Sequence, residues 1–228
     1  MQRAMLDALI AARTAGRAVL LVTPLDGMGA RLLTEAEVDT LAEPLRAVAL
    51  AALREDIARR HALASGEVLL TPFNPRLRLI IVGAVHIAQP LARMAALAEY
   101  AVTLVDPRLA FTQARDFAPA VLRTDWPDTA LTQLAPDART AVVTLAHDPK
   151  IDDPALQVAL ASRAFYIGAL GSSRTHARRL QRLTGAGLTA AQLARIDGPA
   201  GLRIAARTPA EIAIAVLGRM TQIIRRKV

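Results

Sequence analysis

Apolar and polar residues follow two different rhythms along this chain, and the change falls near residue 75. In the first part, Met5, Leu6, Leu9 and Ile10 recur at helical spacing within residues 2–15, and Gly16 is a natural stop. A short apolar run at 18–23 is closed by Pro24 and the Asp26-Gly27 turn signal. Thr34, followed three residues later by Glu37, makes a capping-box pattern. Pro44 suits the first turn of a longer helix running to about His61, with Leu45, Val48, Leu53 and Ile57 inward. Residues 67–70 predict another strand. Thr71-Pro72-Phe73-Asn74-Pro75 then forms a rigid break, which separates a small N-terminal subdomain, 1–75, from a larger domain, 76–228.

Beyond the break the rhythm becomes strand, helix, strand. Residues 77–82 are continuously apolar, as buried parallel strands are. A helix is expected over 87–99 and strands over 102–105 and 121–122, then a short helix over 129–134 and a strand over 140–145. A helix over 153–162, a strand over 164–167 and a helix over 173–183 follow. The last helix opens on Thr208-Pro209-Ala210-Glu211, which combines a cap, a proline in the first turn and a carboxylate at the third position, and runs to about Arg225. This alternation predicts an α/β fold: a doubly wound, mostly parallel, Rossmann-like sheet with a small N-terminal α/β subdomain.

Composition narrows the function classes. The 228 residues are 53% apolar and 21% charged, enough for a substantial core and unlike a disordered or collagenous chain. Cysteine is absent, which excludes thiol nucleophiles, zinc fingers and iron–sulfur ligation. The apolar runs are shorter than the roughly 18 to 20 residues a membrane helix needs, and the N-terminus lacks a signal-peptide pattern, so a cytoplasmic protein without a membrane partner is expected. The net charge is +8, and apart from Lys150 and Lys227 every basic residue is arginine. An anionic ligand would account for that excess, as would arginine spread over helix surfaces. Aromatic residues make up only 3%, too few for the stacking platforms of single-stranded nucleic-acid binders, so no nucleic-acid partner is expected.

Four segments carry candidate chemistry, and each follows a strand, where open α/β sheets bind ligands. Gly83-Ala84-Val85-His86-Ile87-Ala88 occupies the place of a phosphate-binding turn. Gly83 permits the tight bend and Ala88 the close helix–strand packing, while Val85 stands where a dinucleotide fingerprint has its middle glycine. Asp106 ends the second strand, where a carboxylate accepts ribose hydroxyls, and Arg108 is placed to receive a phosphate. The plainer alternative is a strand-ending turn with a solvated arginine. His147-Asp148-Pro149-Lys150-Ile151-Asp152-Asp153 suits metal ligation or acid–base chemistry, and also a helix start with Asp152 or Asp153 as cap and Pro154 in the first turn. His147 and Asp148 are its functional candidates, Asp152 and Asp153 its capping ones. Finally, Gly168-Ala169-Leu170-Gly171-Ser172-Ser173-Arg174, with Arg178 and Arg179 beyond, brings backbone donors and guanidinium groups to a helix start. Arg174 and Arg178 share one helix face; a solvated basic helix is the alternative.

In this order, the segments resemble the xanthine dehydrogenase accessory protein family, XdhC/CoxI. The family's G-A-G-H-V-A turn corresponds to Gly83 through Ala88, its V-D-P-R to Val105 through Arg108, and its T-H-D-x-x-x-D to the stretch with His147, Asp148 and Asp152. Its Y-x-G-x-x-G-S-x-x-T corresponds to Tyr166 through Thr175, and its R-I-x-x-P-x-G-L to Arg195 through Leu202. The resemblance covers about residues 77–226. It implies a chaperone-like protein that binds the molybdenum cofactor, a phosphate-bearing molybdopterin, and assists its insertion into a molybdenum hydroxylase of the xanthine or carbon monoxide dehydrogenase type. It implies a maturation factor without turnover of its own and is compatible with a homodimer. Relatives carry an N-terminal serine–glycine motif ending in cysteine, and with no cysteine here no sulfur chemistry transfers. The competing reading is an NAD(P)-dependent oxidoreductase, for which Val85 is a poor fit. On either reading the cofactor-binding candidates are Gly83, His86, Asp106, Arg108, His147, Asp148, Gly168, Gly171, Ser172, Arg174 and Arg178.

Overall fold

A computed structural model describes residues 3–26, 29–64 and 66–225; Gln2, Gly27 of the expected turn, and Lys227 lie outside the described residues. The chain divides into two compact units, with the division after Arg76.

In the first unit, helix α1 (Arg3–Thr14) precedes strands β1 (Val19–Pro24) and β2 (Arg31–Thr34). Helices α2 (Glu35–Asp39) and α3 (Leu45–Glu55) and strands β3 (Arg59–Leu63) and β4 (Gly66–Phe73) complete it. The sheet is antiparallel in the order β2-β1-β4-β3 and packs Leu20, Leu33, Val68 and Leu70 against Val38, Ala49, Ala52 and Leu53. The capping box forms as expected, with the Thr34 and Glu37 side chains each accepting the other's backbone N–H.

Two expectations fail here. The helix after Pro44 stops at Glu55, six residues early, because Asp56 turns left-handed (φ 56°) and the Asn74 side chain donates to the Leu53 carbonyl at 2.6 Å. Residues 59–63 are therefore a strand, and Ile57 is 47% exposed rather than inward. The 71–75 segment is not all break: β4 continues to Phe73, paired with β1. Pro72 is tolerated because β3 pairs with β4 only as far as Leu70, leaving an open edge for a residue without an N–H.

In the second unit, β5 (Arg78–Val82), α4 (Ala88–Leu97), β6 (Ala101–Val105), α5 (Leu109–Gln113), β7 (Val121–Arg123) and α6 (Pro127–Leu134) form the first half. The second half holds β8 (Thr140–Thr144), α7 (Pro149–Ala161), β9 (Tyr166–Ala169) and α8 (Ser173–Gly185). It continues through α9 (Ala190–Leu193), β10 (Ile196–Asp197) and α10 (Pro209–Ile224). All six strands are parallel in the order β10-β9-β8-β5-β6-β7, so the chain reverses direction across the sheet between β5 and β8. Helices α4 and α10 cover one face, with Leu91, Ala213 and Val216 in its core. Helices α6, α7 and α8 cover the other, through Leu131, Leu156 and Leu183. Among the described residues no helix is long and apolar enough to cross a membrane.

The register positions the site. Val82 is level with Val105 on one side and Thr144 on the other; Thr144 is level with Ala169, and Asp197 with Gly168. The turns after β5, β6, β8, β9 and β10 thus open along one edge. Gly168 itself lies inside β9, buried, and the space of its absent side chain is filled by the Tyr166 ring. A methyl group there would stand 2.7 Å from Tyr166 Cε1, on a ring whose hydroxyl is held by Asp197 at 2.8 Å. Gly168→Ala is therefore expected to cost roughly 1–3 kcal/mol, the range for overpacking a tight core. Urea unfolding checks this: an unchanged midpoint would mean the ring has room to move.

Candidate functional site

The turn after β5 is fixed by the strands beside it. Gly83 adopts φ +109°, and a side chain on it would press within 2.6 Å of the Ala146 backbone nitrogen in the turn after β8. The Gly83 N–H donates to the Val105 carbonyl at 2.9 Å, and the Ala84 N–H to Asp106 Oδ2 at 2.7 Å. Asp106 is 0% exposed, and it also accepts from Arg108: backbone N–H and Nε on Oδ1, both 2.9 Å, and Nη2 on Oδ2 at 2.7 Å. Burial alone would raise the Asp106 carboxyl, but the Arg108 and Ala84 hydrogen bonds outweigh it and hold the group below its ordinary value. The Arg108 guanidinium also stacks 4.2 Å over the Phe111 ring.

Both Asp106 oxygens are therefore already engaged within the protein. They fasten the Gly83 turn to the turn after β6. Val85, in the place of the fingerprint's middle glycine, is not left-handed, and its side chain packs on the core cluster under α4. His86 is exposed, 3.2 Å from the Arg115 guanidinium.

The turn after β8 assigns its carboxylates differently from the sequence expectation. Helix α7 begins at Pro149, so Asp148 is its cap, accepting from the Lys150 N–H at 3.0 Å. Asp152, expected as a cap, is 2% exposed and accepts the N–H groups of Ala146 (3.2 Å) and His147 (3.1 Å). Asp153 binds Arg182 through two hydrogen bonds, at 2.6 and 3.0 Å. The three carboxylates thus serve three different partners. His147 is held at φ 59° and is exposed. Partial desolvation, and then the Arg179 charge, lower its pKa.

After β9, Gly171 turns at φ +137°, and Ser172 caps α8 by accepting from the Thr175 N–H at 3.1 Å. Arg174 and Arg178 are exposed and make no hydrogen bond or ion pair among the described residues. Arg179, which the sequence reading groups with Arg174 and Arg178 at the helix start, is 2% exposed. Helical side chains lean toward the helix start, and its Nη2 donates back to the Leu170 carbonyl at 2.8 Å while lying 3.8 Å from Asp152 Oδ2. Its Nε and Nη1 are buried without a partner. The signal was spacing: Arg179 stands four residues before the buried Leu183, on the inner stripe of α8. One ionic contact thus links the turn after β8 to the turn after β9.

Burial pushes the Asp152 carboxyl up to about 6, against the pull of Arg179 and its two backbone donors. The folded chain then holds that proton more tightly than the unfolded chain, whose group titrates near 3.8. The Asp152 contribution to stability should therefore fall as pH rises from about 4 to about 6 and be flat above, by on the order of 3 kcal/mol. Asp152→Asn should lack that slope. Chemical denaturation of both forms between pH 4 and 8 measures it; identical slopes would refute the assignment.

Comparison with known proteins matches residues 79–220, more than half of the chain, to the XdhC Rossmann domain. The chain is 33% identical over 151 residues to the molybdenum cofactor insertion chaperone PaoD of Escherichia coli, covering 66% of this chain and 41% of that protein. It is 31% identical over 167 residues to a probable xanthine dehydrogenase subunit of Bacillus subtilis, covering 73% and 48%. It spans less than half the length of these curated relatives. The fold is shared with the crystal structure of a xanthine dehydrogenase from Bacillus halodurans, at a TM-score of 0.70 and 22% identity, over 98% of this chain and 64% of that one. The doubly wound sheet, the ordered turns along its edge and the match across 79–220 together establish that the chain belongs to the XdhC family.

Proposed function

We propose that this protein binds the molybdenum cofactor at the C-terminal edge of its parallel sheet and assists its insertion into a molybdenum hydroxylase. The observation that carries the reading is the pair of exposed, unpartnered guanidinium groups, Arg174 and Arg178, beside a capped helix start. That start lies one strand from the His147 turn and two from the Gly83 turn. An anionic pterin phosphate fits there: guanidinium groups supply charge and paired donors, and the first turn of α8 supplies a favourable dipole. Gly171 and Ser172 form the wall, and His147 and His86 are the exposed imidazoles of the neighbouring turns. Asp106, Arg108 and Asp148 act at one remove, by holding those turns in shape.

The insertion role of the Escherichia coli relative supports the transfer step, as does the xanthine dehydrogenase name of the Bacillus subtilis relative. Against the NAD(P)-dependent alternative, the carboxylate that would take the ribose hydroxyls has both oxygens engaged by Ala84 and Arg108.

Each arginine–phosphate contact should be worth roughly 1.5–3 kcal/mol. Replacing Arg174 and Arg178 together by alanine should weaken cofactor binding at least about tenfold and lower the activity of a molybdenum hydroxylase matured with the variant. The melting temperature should hardly change, since both side chains are exposed. Native mass spectrometry of protein purified from cells making the cofactor, with calorimetric titration including NAD and NADP, provides the test. A folded double variant that retains the cofactor fully, or a wild-type protein that binds NAD and no pterin, would defeat the proposal.

A further inference from the structure

The segment matching the R-I-x-x-P-x-G-L pattern is not used by the reading above, yet several hydrogen bonds tie it to the second unit. Arg195 donates to the carbonyls of Leu160 (2.7 Å), Ser162 (3.0 Å) and Ala164 (2.9 Å), which anchors the chain just before β10. Asp197 Oδ2 accepts the Tyr166 hydroxyl at 2.8 Å and the Gly201 N–H at 3.2 Å. The loop that follows is stitched to its surroundings by Ala200 N–H to the Ala169 carbonyl (3.1 Å) and Leu202 N–H to the Ala215 carbonyl (3.0 Å). Gly201, at φ +101°, comes so close to α10 that a side chain would meet the Ala215 and Val216 backbone at 2.9 Å.

A loop fastened this way could have closed onto the protein. Instead, residues 198–206 line, with Leu170, Ser173 and the α10 residues Ile212, Ala215 and Arg219, an open pocket of about 540 Å³. That is within the range of small-molecule sites. Its lining has two characters. Leu202, Ile204 and Ile212 offer an apolar wall, and Ile204 is 50% exposed. Arg203 is exposed and makes no hydrogen bond or ion pair among the described residues. Arg219 also lines the cavity; its Nε lies 3.5 Å from Asp197 Oδ1, whose other oxygen holds Tyr166 and Gly201, and its Nη1 donates to Gln222 at 2.7 Å, which leaves Nη2 as its open donor. Ser173 adds a hydroxyl at the first turn of α8.

We propose that this cavity is a binding site for a phosphate-bearing heterocycle of nucleotide size, its ring against Leu202, Ile204 and Ile212 and its phosphate on Arg203 and Arg219. The apolar wall suits a flat ring, and two guanidinium groups against one engaged carboxylate leave an excess of positive charge for the phosphate. The inference does not depend on the edge site proposed above, because Arg174 and Arg178 are not among the lining residues.

The test uses the full chain. Calorimetric titration with AMP, GMP and CMP, and with inorganic phosphate as the anion control, is run on wild type, Arg203→Ala, Ala206→Phe and the Arg174→Ala/Arg178→Ala double variant. Ala206 lines the cavity, so phenylalanine there fills it. At least one nucleotide should bind saturably, at least tenfold more weakly to Arg203→Ala and Ala206→Phe, and within about twofold of wild type to the double variant. Melting curves should show Arg203→Ala as stable as wild type. No saturable nucleotide binding, or wild-type affinity in a folded Ala206→Phe, would overturn the assignment. Phosphate binding as tightly as every nucleotide would overturn the heterocycle, and loss confined to the double variant would move the nucleotide to the edge site.

Discussion

Parallel pairing in register is the constraint on which the rest of the second unit depends. Because Val82, Val105, Thr144 and Ala169 are level, each strand releases its chain at the same height. The turns that follow must then share one narrow edge. They cannot all relax as independent loops, since backbone groups at the edge would be left without partners. The solutions are specific: Gly83 lacks a side chain because Ala146 is there, and its neighbour Ala84 finds its acceptor in Asp106.

Buried charge completes that edge. Asp106, Asp152 and Arg179 are withdrawn from water, a cost repaid only by hydrogen bonds and counter-charge. Asp106 is well compensated by Arg108 and stays ionised. Asp152 is less so, with Arg179 at 3.8 Å and two backbone donors, and its carboxyl rises to about 6. The contrast shows which interaction sets each turn: a bidentate arginine fixes the turn after β6, while a weaker pair links the turns after β8 and β9.

The sequence made the architecture legible because strands and helices of the second unit are long enough to show their periods. Local chemistry was legible where it is self-contained, as in the Thr34–Glu37 and Thr208–Glu211 boxes, both of which form. What escaped depends on partners far away in the chain. The end of α3 needs Asn74, 21 residues beyond Leu53, and β10 exists only as a two-residue neighbour of β9. Asp148 rather than Asp152 caps α7 because the helix starts at Pro149, one residue after a good cap, and Asp152 is left inside the first turn to accept the N–H groups of Ala146 and His147. Asp106 sits at the strand end where a ligand carboxylate belongs, but sequence spacing does not reveal that Ala84 and Arg108 already occupy it.

The arginines of α8 show most directly how position rather than residue type decides a side chain's environment in this fold. Arg178 and Arg179 are adjacent in sequence, yet a helix turns about 100° per residue, so one faces water and the other is buried beside Asp152. A solvated guanidinium keeps its donors satisfied by water and gives them up to an anion at little cost, which is why the proposed function rests on Arg174 and Arg178. Arg179 has already lost its water; its Nη2 holds the Leu170 carbonyl, and its unpartnered Nε and Nη1 are a standing cost. That cost is tolerated where it fixes geometry. Leu170 immediately precedes Gly171 and Ser172 of the edge site and also lines the neighbouring cavity. A single buried cation therefore fixes the carbonyl at the boundary of the two proposed sites, while Arg174, Arg178 and Arg203 stay at the surface.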